Sequence, residues 1–164
     1  MKKGDIFCTR NPMALGRAIN GMQLFWSTDN ESTYSHSGII ISDEGATFES
    51  LWTIKKANID KYRGMRVLIG RHVKMTPESF KLGWDVVKRH EGQLYPFHRL
   101  ILHIIPPMAK YLSTGRFPVC SELVAKFLCG CGFMRTWKGK NPDHIADMIR
   151  KWDDYDVVHE GDLE

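Results

Sequence analysis

Four cysteines and seven histidines carry most of the reactive side chains of this chain, and one cysteine stands apart by its setting. Cys120 falls in the run Pro118-Val119-Cys120-Ser121-Glu122-Leu123-Val124-Ala125-Lys126-Phe127-Leu128. There Leu123, Val124, Phe127 and Leu128 form one apolar stripe at helical spacing. Pro118 suits the helix entry, and Gly130 and Gly132 suit its stop. Cys120 therefore belongs to the first helical turn. Unpaired N–H groups and the positive end of the helix dipole meet there and favour a thiolate, the reactive form of cysteine. By itself such a cysteine also fits the role of a small buried apolar residue. A nucleophile needs a base, and the base needs a group that fixes it.

The histidines available as base are His36, His72, His90, His98, His103, His144 and His159. His36 has the most informative context. It opens a buried strand, is bracketed by Ser35 and Ser37, and lies beside Gly38, so small neighbours leave room for a substrate. Glu49 lies on the return strand, an unfavourable place for a glutamate without a partner. With Glu44 taken as the centre of the intervening turn, Glu49 faces position 39 and stands about three residues from His36 along the ladder. A bulge or another register would bring the two closer, and their shared face is open at this level.

The elements that must position these groups follow from local signals. Gly4 to Thr9 reads as a short strand. Asn11-Pro12 starts a helix with Leu15, Ala18, Ile19 and Met22 on one face. Tyr34 to Ser42 is a strand buried on both faces, Asp43-Glu44-Gly45 a turn, and Ala46 to Leu51 the returning partner. Trp52 to Asn58 extends that strand or begins another, and Met65 to Arg71 is a further strand. Thr76-Pro77-Glu78-Ser79 starts a helix that runs to about His90. Phe97 to Ile105 reads as a second helix, broken by Pro106-Pro107. Asn141-Pro142 starts a helix with Ile145, Met148 and Ile149 inward, and Tyr155 to Val158 is a last strand. The five tryptophans are expected in the core or lining a groove. The pattern predicts an α+β fold, an antiparallel sheet packed against helices, with residues 1–164 as one domain.

Composition narrows the function classes. Apolar residues at 43% and charged residues at 26% are ordinary for a globular chain. A net charge of +4 is too mild to diagnose nucleic acid, and none is expected as a partner. No apolar run is long enough to span a bilayer, though the apolar stretch 100–108 allows peripheral lipid contact. Lys2-Lys3 leads into Gly4-Asp5 rather than an apolar run, so no signal peptide is read and a cytoplasmic protein is expected. Cys8, Cys120, Cys129 and Cys131 form no Cys-x-x-Cys pair; neither a zinc site nor any cofactor is expected.

The ordered set Gly4-Asp5-Ile6, Ser35-His36-Ser37-Gly38-Ile39-Ile40-Ile41, Phe48-Glu49-Ser50 and Pro118-Val119-Cys120-Ser121-Glu122 resembles the circularly permuted NlpC-type papain-like hydrolases, in their YiiX-like branch. Tyr95-Pro96-Phe97 and Asn141-Pro142-Asp143 resemble further segments of that family, and 98–117 matches nothing in it. The resemblance implies Cys120 as nucleophile, His36 as base and Glu49 as the orienting group. The expected activity is hydrolysis of an amide bond in a peptide or acyl-amide substrate through an acyl-enzyme, with cell-wall peptides one candidate substrate. The Cys120 backbone N–H would help to hold the oxyanion, and Tyr34 is a candidate second donor. Two other readings stay open. One is a lipid-directed thiol acyltransferase or hydrolase, since the fold resembles that of lecithin:retinol-type acyltransferases. The other is a binding module that keeps the groove without the chemistry.

Overall fold

The computed structural model describes residues 1–10, 34–94 and 119–164. The helix expected after Asn11 and the one expected over Phe97 to Ile105 lie outside the described residues. Within them, six strands form one sheet: β1 (Ile6–Thr9), β2 (His36–Ile40), β3 (Ala46–Ser50), β4 (Ile54–Asn58), β5 (Arg66–His72) and β6 (Tyr155–Asp162). Their order is β4-β3-β2-β1-β5-β6, and every neighbouring pair is antiparallel. The residues after Trp52 thus begin a separate strand rather than prolonging β3. The last strand is also longer than its apolar pattern announced, because pairing with β5 carries it on to Asp162 through a bulge at Ile69/Gly70.

Three helices pack on the sheet, and two of them, the first and the last, begin at the expected caps. Helix α1 (Pro77–Val87) starts at Thr76, whose hydroxyl accepts from the Ser79 N–H while Ser79 Oγ accepts from the Thr76 N–H. It gives way to a 3-10 turn, Lys88–His90. Helix α2 (Cys120–Gly130) begins at the cysteine itself; the Val119 N–H donates to the Glu122 carboxylate at 3.4 Å. Helix α3 (Pro142–Lys151) is capped by Asn141, which accepts from the His144 N–H.

Strand alternation sorts the core into two layers. Ile6, Cys8, Ile39, Phe48 and Leu68 face the helices and pack with Leu123, Val124, Phe127 and Leu128 of α2, Phe80 of α1 and Ile145, Met148 and Ile149 of α3. Burying each of these large side chains stabilises the fold by about 1.5–3 kcal/mol. The intervening residues Phe7, Ile40, Val67 and Ile69 meet Ile59 and Tyr62 of a second 3-10 turn, Ile59–Tyr62, on the opposite face. Two tryptophans lie outside the core: Trp52 is 60% and Trp152 44% exposed.

Candidate active site

The site grows from the β2–β3 hairpin. Ile41 N–H donates to the Ala46 carbonyl and Gly45 N–H to the Ser42 carbonyl, so the loop holds four residues, Ser42 to Gly45, with Gly45 at φ 86°. An even-numbered loop shifts the register by one from a hairpin centred on Glu44. Glu49 pairs with Gly38, not with residue 39. This corrects the simple register and resolves the parity. Glu49 stands two residues from the strand position opposite His36, so the two side chains share a face and lie within diagonal reach. His36 Nε2 meets Glu49 Oε2 at 2.8 Å, with the histidine side chain 2% and the glutamate side chain 0% exposed.

Gly38 makes this contact possible. It pairs with Phe7 on its other side, and a Cβ there would come within 2.5 Å of the Phe7 ring and 3.2 Å of Glu49 Cβ. The Phe7 ring occupies the space the missing side chain leaves and meets the His36 ring edge-on at 6.1 Å between centroids. The small residue beside the histidine serves the packing of the histidine.

A buried carboxylate must be compensated. Glu49 Oε2 also accepts from the Tyr62 hydroxyl at 2.5 Å. Oε1 accepts from the Thr47 hydroxyl at 2.7 Å and pairs with Lys61 Nζ at 2.7 Å. Burial pushes the Glu49 pKa up, but the bond and charge of His36, with Lys61 and Tyr62, outweigh it and hold it at about 2. Thr47, Lys61 and Tyr62 were not singled out from the sequence. Thr47 was within reach of period-two reasoning, since it lies two residues from Glu49 on one strand. Nothing in the types or spacing of Lys61 and Tyr62 marks them; their turn brings them under the sheet.

Cys120 enters from the other layer. It is the first residue of α2, is 5% exposed, and lies near enough to the His36 ring to raise its affinity for a proton. With Nε2 committed to Glu49, Nδ1 is the ring nitrogen still open to a further partner. Because His36 is the first residue of its strand, helix and imidazole meet at the end of the sheet rather than through it. Burial pulls the His36 pKa down, yet the bonds and charges of Cys120 and Glu49 hold it at about 9. The other thiols differ. Burial pushes Cys8 well up, Cys129 up, and Cys131 to about 12. Tyr34 is fully buried just before β2; its N–H donates to Asp143, and its hydroxyl accepts from Arg150 at 3.3 Å.

No protein-family model and no curated protein matches the chain. Among solved structures, the crystal structure of the metalloprotein yiiX from Escherichia coli O157:H7 is similar, with a TM-score of 0.59 and 19% identity over 99% of this chain and 88% of that one. The chain has a YiiX-like α+β fold. Among the described residues here, no group of three or more His, Cys, Asp or Glu side chains could hold a metal ion. At the site itself Lys61 occupies Glu49 Oε1, a poor neighbour for a second cation. Nor is any helix among the described residues long and apolar enough to cross a membrane.

Proposed function

We propose that the chain is a papain-like cysteine hydrolase of permuted order, acting on an amide bond through an acyl-enzyme. The observation that carries this reading is one buried imidazole bonded to a buried carboxylate and acted on by a helix-start cysteine beside it. Few structural needs explain that arrangement, whereas nucleophilic catalysis requires it. In the proposed sequence the Cys120 proton passes to His36, and the thiolate attacks the carbonyl carbon. The carbonyl π pair moves onto oxygen and returns as the C–N bond breaks. His36 gives its proton to the leaving amine, then takes one from the water that opens the thioester. Glu49 holds the ring aimed and stabilises its charged form. The Cys120 N–H, which the helix ladder does not use, faces the developing oxyanion. Tyr34, whose hydroxyl accepts from Arg150 and keeps its own hydrogen to donate, is the candidate second donor.

Iodoacetamide labelling at neutral pH with peptide mapping tests the nucleophile. Cys120 should react first, since burial pushes the other three thiols toward the inert protonated form. Labelling that begins at Cys129, or a silent Cys120, rejects the reading in favour of a binding module. A paired screen of peptides and long-chain acyl-amides then separates a peptidase or amidase from a lipid-directed enzyme.

A further inference from the structure

Glu49 carries more positive partners than a group that merely orients a histidine requires. An imidazolium beside one carboxylate is already neutral. Here Lys61 adds an ammonium 2.7 Å from the second carboxylate oxygen, against a glutamate that is fully buried. One carboxylate, one imidazolium and one ammonium leave a single net positive charge in the sheet. A Cys120 thiolate on the imidazolium brings that cluster to neutrality. Without the lysine, the same thiolate would be an uncompensated buried anion.

Resting on the hydrolase reading, we propose that Lys61 is a positioning residue of this site, supplying through Glu49 the positive charge that balances the Cys120 thiolate. Its side chain is only 32% exposed and lies 4.8 Å from the Tyr62 ring centroid, so the ammonium is held in place rather than free to swing. The other groups around the cluster do not supply this charge. Tyr62 is kept neutral, because burial and the Glu49 charge push its pKa up. Lys55, opposite Glu49 on β4, is solvent-exposed. On the helix side, Glu122 of α2 bonds the Val119 N–H. Asp143 and Arg150 of α3 carry opposite charges and act on Cys8, and Tyr34 is held by Arg150. Among the described residues, Lys61 is therefore the cation in direct contact with the buried carboxylate that carries the histidine.

The test is the rate of Cys120 alkylation by iodoacetamide as a function of pH, on the full chain, with circular dichroism and melting as folding controls. Lys61→Met and Lys61→Gln should both move the midpoint of the curve upward by about one pH unit, which is roughly a tenfold slower reaction below it. Gln keeps a donor and most of the stem, so agreement between the two assigns the effect to charge. Lys61→Arg should restore the wild-type midpoint. Folded Lys61 variants that follow the wild-type curve overturn the proposal. So does slowing by one factor at every pH, the mark of a merely structural role. Failure is separable from failure of the hydrolase reading: an unreactive wild-type Cys120 sinks both, whereas a reactive one with an unmoved midpoint sinks this inference alone.

Discussion

Replacing Glu49 by glutamine keeps the volume of the side chain and removes its charge. The structure shows why the amide cannot satisfy all four partners. Oε2 meets His36 and Tyr62; Oε1 meets Thr47 and Lys61. If the amide oxygen faces Lys61 and Thr47, the NH₂ points at His36 Nε2 and demands a lone pair there. The ring then carries its hydrogen on Nδ1, where it should accept from Cys120. If the amide is turned the other way, its NH₂ meets the Lys61 ammonium, donor against donor. In either orientation the imidazolium loses a charge-assisted bond, a contribution of about 1.5–3 kcal/mol. That corresponds to a fall of about 10- to 150-fold in kcat/KM. The alkaline limb, set by an imidazole held at about 9, should move down toward its ordinary 6.5, because burial now acts with one fewer opponent. Turnover of a substrate found by screening, measured from pH 5 to 10 on protein shown to be folded, checks both effects. A folded variant with unchanged kcat/KM and an unmoved limb would refute the orienting role of Glu49 and leave Cys120 and His36 standing.

Cys120→Ser and His36→Ala should each nearly abolish turnover, and the double variant should be little worse than either, because nucleophile and base act as a unit; full activity in folded His36→Ala protein would reject the mechanism. The His36–Glu49 pair also predicts a stability profile. The lowered carboxylate contributes fully above about 4.5 and loses its contribution as pH falls toward about 2. The raised imidazole contributes fully below about 6.5 and loses its contribution as pH rises through about 9. Urea midpoints should therefore show this pair's largest contribution between those values, and Glu49→Gln should flatten both flanks; an equally steep acid flank in the variant would contradict it. Gly38→Ala drives a methyl to 2.5 Å from the Phe7 ring and should cost about 1–3 kcal/mol of stability, read from urea denaturation, together with activity; a neutral effect would show that Phe7 can move aside.

Among the described residues, what this sequence determines by itself is most of the elements and their order. Thr76, Asn141 and the Cys120 helix entry act through hydrogen bonds within one turn, so composition over a few residues suffices to place them. The buried run from Gly38 onward marks a central strand for the same local reason. Cys120, His36 and Glu49 were legible as candidates because each stands in a setting that its type alone does not explain. Their meeting was not legible. A three-residue turn and a four-residue turn look alike in Ser42-Asp43-Glu44-Gly45, yet they put Glu49 on opposite faces of the sheet, and tertiary pairing selects the second. The Lys61–Tyr62 support was invisible for a different reason. A 3-10 turn of ordinary residues acquires its role only when β4 and β5 fold it against the face that carries Glu49, and the electrostatic cost of a buried carboxylate exists only once the sheet has excluded water. Local geometry can be read along a chain; charge compensation depends on which distant groups share a dry interior, and that is decided by the fold.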